Sequence, residues 1–243
     1  IDLYFWRKND TLIHSHGCRG AFKVLFGASL HEEFKVETLE SFSEDLMKTQ
    51  LSAKQALIMK PGDVQLIAPK LTHRVVHLGD PTVTLCLRTV EDTALDQWHH
   101  HPTGLSFQKK NFSEKCVKQM LYFQYLINSD FSRAQLFLNQ CLDLLDVSTQ
   151  IGLYESLCFD ELGLGEAAFN VAEEIFHHRF QDQKWFDLYK SHYEKLSQNL
   201  QEFQASSEEL KLLAHSINSE YSKKQTTELL AQISSKNIFD LCQ

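Results

Sequence analysis

The first hundred residues alternate apolar and polar positions in short runs, which proline and glycine interrupt. Such runs are typical of strands, because successive side chains of a strand face opposite sides of the sheet. The pattern predicts eight strands, at residues 3–7, 11–16, 21–26, 30–39, 56–60, 64–68, 73–78 and 83–90. Eight short strands within about 90 residues favour a small barrel or jelly roll.

The tetrapeptide Lys60-Pro61-Gly62-Asp63 predicts a tight turn between two of these strands. Proline presets φ at the second turn position, and glycine accepts a positive φ at the third. We expect this turn to connect two neighbouring strands.

From residue 105 onwards the pattern changes: proline is absent and apolar residues recur three or four positions apart, as on one face of a helix. The predicted apolar stripes comprise Val117, Met120, Leu121 and Tyr125, then Leu136, Phe137, Cys141, Leu144 and Leu145, then Leu164, Ala168, Val171, Ala172, Ile175 and Arg179, then Trp185, Leu188 and Leu196. The chain is therefore predicted to be α+β. An N-terminal β-barrel over residues 1–98 is followed by a helical bundle or appendage over residues 105–243.

Composition narrows the function classes. A hydrophobic fraction of 43% and a charged fraction of 23% are typical of a folded globular chain. The formal net charge of −8 argues against sequence-independent nucleic-acid binding, which requires a cationic surface. Apolar runs are much shorter than the ~20 residues of a membrane span, so no membrane association is expected.

The six cysteines form no Cys-x-x-Cys pair, and a reducing, cytoplasmic location is the expectation. Because the first residue is Ile1 rather than Met, whether residues precede it in the native chain is left open.

Histidines carry the chemistry of the N-terminal part. His14 and His16 are two residues apart, so on a strand both imidazoles project from one face, with roughly 6.6 Å between their positions. His73 begins a later alternating segment and supplies a third ligand. Three histidines on barrel strands occupy one side of a metal ion and leave the other side open to substrate or dioxygen.

This arrangement resembles the cupin superfamily, in which a His-x-His pair on one strand is joined by a later histidine after a Pro/Gly turn. The glutamate usual in cupins is missing, since Gly20 and Ala21 stand at its positions. The chain is more similar to the cysteine dioxygenase family of thiol dioxygenases, which has the same three-histidine set without a carboxylate ligand. The matching stretches are residues 13–16, 23–27, 73–75 and 83–87. The resemblance covers about 80 residues, from 11 to 90, and implies an iron site in a jelly roll.

The departures from that family are informative. Its last strand carries a Ser-x-His-x-Tyr series beside the iron, whereas this chain has Thr84, Cys86 and Arg88 at the corresponding alternation. Cysteine itself is therefore a poor expectation as substrate.

Apart from the family resemblance, the predicted metal ligands themselves favour an anionic substrate. Three neutral imidazoles leave the charge of a divalent metal uncancelled, which favours a thiolate, enolate or carboxylate. Arg88, on the inward period of its strand, is predicted to bind the substrate anion as the catalytic-site residue. His77, Thr84 and Cys86 are expected around the ligands, with Cys86 a buried hydrophobe rather than a nucleophile.

Other histidines are interpreted as solvent-exposed. His99, His100 and His101 follow Trp98 and precede Pro102, which indicates a surface linker. In the helical part, Glu166, Asn170, Glu173, Glu174 and His177 form a polar stripe with one Glu-x-x-His step. A di-iron bundle needs two such steps, so a solvated helix face is predicted.

The sequence therefore predicts a cupin dioxygenase whose mononuclear metal, held by His14, His16 and His73, acts on a small anionic substrate and O₂. Fe(II) is favoured, while Zn, Ni, Mn or Cu also suit three imidazoles. One alternative is a non-catalytic ligand-binding cupin whose helical region mediates homodimerisation or partner binding. Another is a degenerate barrel whose helices bind a protein partner.

Overall fold

The computed structural model describes residues 1–7, 11–89, 97–109, 112–158 and 166–191, together with residues 225, 228, 229, 231 and 232. These ranges contain ten strands followed by four helices with complete bounds, and residues 186–191, 225, 228, 229, 231 and 232 are also helical. The strands are β1 (Asp2–Trp6), β2 (His14–Ser15), β3 (Gly20–Phe26), β4 (Ser29–Ser41), β5 (Leu46–Met59), β6 (Val64–Ile67), β7 (Thr72–His77), β8 (Thr82–Arg88), β9 (Gln97–His100) and β10 (Leu105–Lys109). The helices are α1 (Glu114–Ser129), α2 (Phe131–Leu142), α3 (Val147–Cys158) and α4 (Glu166–Phe180). The mixed sheet and helix class predicted from the sequence is confirmed.

The strands form two antiparallel sets. Four of them make a sheet in the order β1-β8-β3-β6. The other six pair in the order β10-β5-β4-β7-β2-β9, and pairing of β10 with β9 closes the ring. The jelly-roll connectivity stays a prediction.

Strands β1, β3, β6, β7 and β8 lie within one or two residues of their predicted positions. Strand β5 begins ten residues earlier than predicted, since Lys48, Gln50 and Lys54 interrupt its apolar pattern although it pairs with β4 along its length. Strands β9 and β10 were not predicted. The division into residues 1–98 and 105–243 stays a prediction, and sheet pairing continues past it to Lys109.

The turn at residues 60–63 occurs where expected, with the Asp63 amide donating to the Lys60 carbonyl at 3.0 Å and Gly62 at φ +101°. It does not join two paired strands, however. Strand β5 belongs to the ring and β6 to the four-stranded sheet. The turn therefore carries the chain from one sheet to the other.

An apolar core lies between the two sheets. Alternation along β3 turns Phe22 and Val24 inward, where they pack with Met59, Ile67 and Val75. Burial of these side chains fixes which face of each strand is internal, because a shift by one residue would expose the whole set. The histidines of β7 share the inward face of Val75.

The helices pack around a second core that also contains Leu46, Leu105 and Phe107 of the ring. On α1 the buried residues are Cys116, Met120, Phe123 and Leu126. Of the stripe predicted from sequence, Met120 is buried, but the prediction is wrong for Val117, Leu121 and Tyr125, which are exposed. Helix α1 carries two apolar faces, and packing against α2 and α4 selects one of them. Among the residues that the structure describes, no helix combines the length and the hydropathy that a membrane crossing requires.

Candidate metal centre

Three histidines predicted as ligands converge on one point. His14 lies on β2 and pairs directly with His73 on β7, and His16 follows β2 on the same side. The Nε2 atom of His16 is 3.0 Å from Nε2 of His14 and 2.8 Å from Nε2 of His73. One donor nitrogen from each ring lies within 4.8 Å of the other two. No other group of three such side chains occurs in the described ranges.

The spacing fits a bound metal ion. Metal–imidazole bonds are about 2.0–2.1 Å, so two ligands at right angles have nitrogens about 3.0 Å apart. His14 is also held in the required tautomer: its Nδ1–H donates to the Leu12 carbonyl at 2.7 Å. A neutral ring protonated at Nδ1 keeps its lone pair on Nε2, where the metal binds.

Electrostatics keep the three rings neutral. Burial lowers the pKa of His14 to about 3, of His16 to about 4 and of His73 to about 2, and repulsion from neighbouring positive charges adds to the effect. For His16 that charge belongs to Arg88. Each lone pair is therefore available to a metal at neutral pH.

His31 completes the support of the cluster and was missed by the sequence analysis. It lies on β4, wholly buried, with its Nε2 atom 2.8 Å from Nδ1 of His73. Its own Nδ1 has no hydrogen-bond partner in the described part of the chain. The signal in the sequence is the alternation Ser29, His31, Glu33, which places three buried polar side chains on one face of β4.

Arg88 lies at the exposed end of β8, and its position continues the series of alternate, inward-facing side chains of this strand. Its Nη2 atom donates to Asp2 Oδ2 at 2.6 Å and to the Tyr4 hydroxyl at 2.7 Å, and 41% of its side chain is accessible. The hydrogen bond from Arg88 lowers the pKa of the Asp2 carboxyl, so that the ion pair is formed at neutral pH. The predicted anion-binding guanidinium thus already has a carboxylate partner.

The three residues expected around the ligands line the same interior. His77 stacks on Trp6, with ring centroids 4.4 Å apart, and its Nδ1 lies 3.1 Å from the Ser29 hydroxyl. Thr84 is buried and accepts a hydrogen bond from Trp6 Nε1 at 2.8 Å. Burial raises the pKa of the Cys86 thiol, which disfavours the thiolate that a nucleophile needs. Trp6 was not singled out from the sequence.

The interpretation of residues 99–101 as a solvated linker is wrong. His99, His100 and His101 are at most 6% exposed, because β9 pairs with β2 and β10 inside the ring. The ring of His99 lies 6.5 Å from that of His14. His101 Nε2 lies 2.8 Å from Glu155 Oε1 on α3, and His99 Nδ1 lies 3.7 Å from Oε2 of the same carboxylate.

In contrast, the polar stripe of α4 is solvated as predicted. Asn170, Glu173, Glu174 and His177 are exposed, and the side chain of Glu166 lies outside the described part of the chain. Within the described residues these side chains build no metal-binding group.

Comparisons with known proteins give little beyond this geometry. No protein-family model matches the chain, and no curated protein sequence matches it. The solved structures that align with the chain include one of the DMSP lyases RdDddP and RnDddQII, at 19% identity and a TM-score of 0.28. The alignment covers 39% of this chain and 40% of that one, so the chain spans well under half the length of the protein it matches.

Proposed function

We propose that this chain is a cupin-type metalloprotein that binds one divalent metal through His14, His16 and His73. The observation that carries the proposal is the convergence of three Nε2 atoms, two of whose separations are 3.0 and 2.8 Å. All three rings are neutral. His14 and His73 lie on the paired strands β2 and β7, and His16 follows β2. The ligand set is thus pre-formed by the sheet.

The proposed activity is Fe(II)-dependent dioxygenation of a small anionic substrate such as a thiolate or carboxylate. Iron bound by three imidazoles supplies a Lewis acid with free coordination positions and an electron donor for dioxygen. The chain itself supplies neutral ligands, the Trp6–His77 stack further along β7, and a guanidinium at the open end of β8. In this proposal Arg88 exchanges Asp2 for the substrate anion and orients it.

Metal content tests the centre. We expect purified protein from iron-supplemented expression to contain one equivalent of metal and the His14→Ala/His16→Ala variant to contain almost none. His178→Ala, an exposed position on α4, is the matched control and should keep full occupancy. Equal metal content in the wild type and the double variant would overturn the proposal.

Oxygen consumption tests the reaction. The iron-loaded wild type, presented with a panel of thiols, diketones and carboxylates, should consume O₂ with at least one of them, and the double variant should not. For that substrate Arg88→Ala should raise KM at least tenfold. Asp2→Asn should lower it, because the competing carboxylate charge is removed. An unchanged KM in Arg88→Ala would exclude the assigned role of this residue.

A second candidate is a metal-containing cupin that binds a ligand without turnover. The Arg88–Asp2 ion pair favours it, since this carboxylate neutralises the charge that would attract an anionic substrate. Full metal occupancy with no O₂ consumption across the panel would select this candidate over the dioxygenase.

A further inference from the structure

The outward face of the four-stranded sheet is apolar. Residues paired across antiparallel strands share a face, so the register defines three rows on the side opposite the metal centre. The rows are Phe5–Val83–Phe26, Leu3–Leu85–Lys23–Val64 and Leu87–Ala21–Leu66. Only one of these ten side chains is charged.

The exposure of this face is large for a monomer. Seven of its side chains are between 37% and 72% exposed, namely Leu3, Phe5, Phe26, Val64, Leu66, Leu85 and Leu87. With about 200 Å² for a fully exposed large apolar side chain, they present on the order of 800 Å². Apolar patches on monomers are usually about 300–600 Å², whereas one side of a stable protein interface is about 800 Å².

We propose that this sheet face is a homodimer interface, in which two copies of the chain pack their outward faces together about a twofold axis. An isologous contact requires a patch that complements itself, and a face of Leu, Phe and Val side chains does so without charge repulsion. An axis that passes near Leu87 keeps the two Lys23 ammonium groups apart. Two antiparallel sheets then stack as in a β-sandwich, with side chains interdigitating across about 10 Å.

The charge pattern disfavours other occupants. A nucleic acid or a charged peptide needs opposite charges on the face that binds it, and Lys23 is the single charge in the three rows. A second copy brings the same apolar rows and needs no additional component. The inference is independent of the proposed function, because these side chains point away from the metal centre.

The helical region is the competing interface, since Val117, Leu121 and Tyr125 are exposed along α1. Charged and amide side chains surround them, including the Glu114–Lys118 ion pair. The sheet face has a single charged side chain, Lys23, among ten and is therefore preferred.

Sedimentation velocity of the full chain and its variants tests whether the sheet face or the α1 face forms the dimer. The measurement covers about 1 to 100 µM, because the dimer fraction rises with protomer concentration by mass action. We expect a dimer in the wild type, and a monomer for Leu87→Lys on the central strand β8 and for Leu66→Lys on the edge strand β6. Both side chains are more than half exposed, so the fold should persist, as checked by circular dichroism and metal content. Leu121→Lys on α1 should remain dimeric.

Three results would overturn the proposal. They are a wild-type monomer throughout the concentration range, a dimer that survives both sheet substitutions, and a dimer that Leu121→Lys alone dissociates. If Leu87→Lys fails to fold, Leu66→Lys decides, because its side chain is 72% exposed at the edge of the sheet.

Discussion

The position of the proton on the His73 ring links His31 to the proposed metal centre. If Nε2 of His73 binds a metal, its Nδ1 carries the proton, and the only atom within hydrogen-bond reach in the described structure is Nε2 of His31 at 2.8 Å. His31 must then accept, which requires a neutral ring, and burial lowers its pKa in that direction. The ring of His73 is thereby fixed in both tautomer and orientation.

We expect His31→Phe to lower metal affinity about ten- to a hundredfold, because Phe keeps the volume and removes the acceptor. His31→Gln retains an acceptor oxygen and should restore most of the affinity. Titration with Co(II), followed through its visible absorption, measures both affinity and coordination geometry. An affinity for Co(II) that is the same in His31→Phe as in the wild type would show that the hydrogen bond has no such role.

At the scale of elements, a buried carboxylate joins the ring to the helices. Glu155 of α3 lies against His101 and His99 of the β9 segment, 2.8 and 3.7 Å away. Burial alone would raise the pKa of this carboxyl, yet the two imidazoles lower it to about 2. Glu155 is therefore ionised at neutral pH, and its stability in the interior depends on these two partners.

Glu155→Ala should reduce the free energy of unfolding by about 3 kcal/mol, because it removes the carboxylate that is hydrogen-bonded to buried His101 and lies 3.7 Å from buried His99. Glu155→Gln keeps a hydrogen-bond acceptor and should cost less. Urea denaturation monitored by tryptophan fluorescence gives both values. Wild-type stability in Glu155→Ala would mean that the apolar core shared by ring and helices suffices to hold α3.

For the whole molecule, the large number of buried neutral imidazoles makes the free energy of unfolding depend on pH. Burial lowers the pKa of both His77 and His100 to about 4, against an ordinary value of 6.5. A depressed folded-state pKa means that only the unfolded chain takes up protons between about pH 6.5 and 4. The stabilisation is thus complete above about pH 6.5 and is lost as pH falls through that window.

We expect the metal-free protein to lose about 1.4 kcal/mol for each of these two histidines between about pH 7.5 and 5.5. Guanidinium titrations at the two pH values, in the presence of a chelator, measure the loss. His77→Phe should make the pH dependence shallower by about one such increment, whereas Asn170→Gln, at an exposed and non-titrating position, should leave it unchanged. A free energy of unfolding that is the same at both pH values would contradict the assignment.

The sequence by itself determined the features that depend on local periodicity. The period of two around residues 20–26 and 82–88 located strands, and proline and glycine located the turn at residues 60–63. The His-x-His spacing placed the two proposed ligands on one face, because side-chain direction along a strand follows from backbone geometry alone. The later histidine at position 73 completed the predicted set.

Only the tertiary structure decided which distant residues meet. Trp6 and Glu155 carry no local signal of their roles, and the alternation around His31 does not show which residue it meets, since their partners lie 42 or more positions away along the chain. Residues 99–101 have the composition of a surface linker and are buried because β2 and β10 pair on either side of them. Likewise, α1 offers two apolar faces, and the choice between them depends on which neighbours it packs against, a property of the folded chain rather than of any segment.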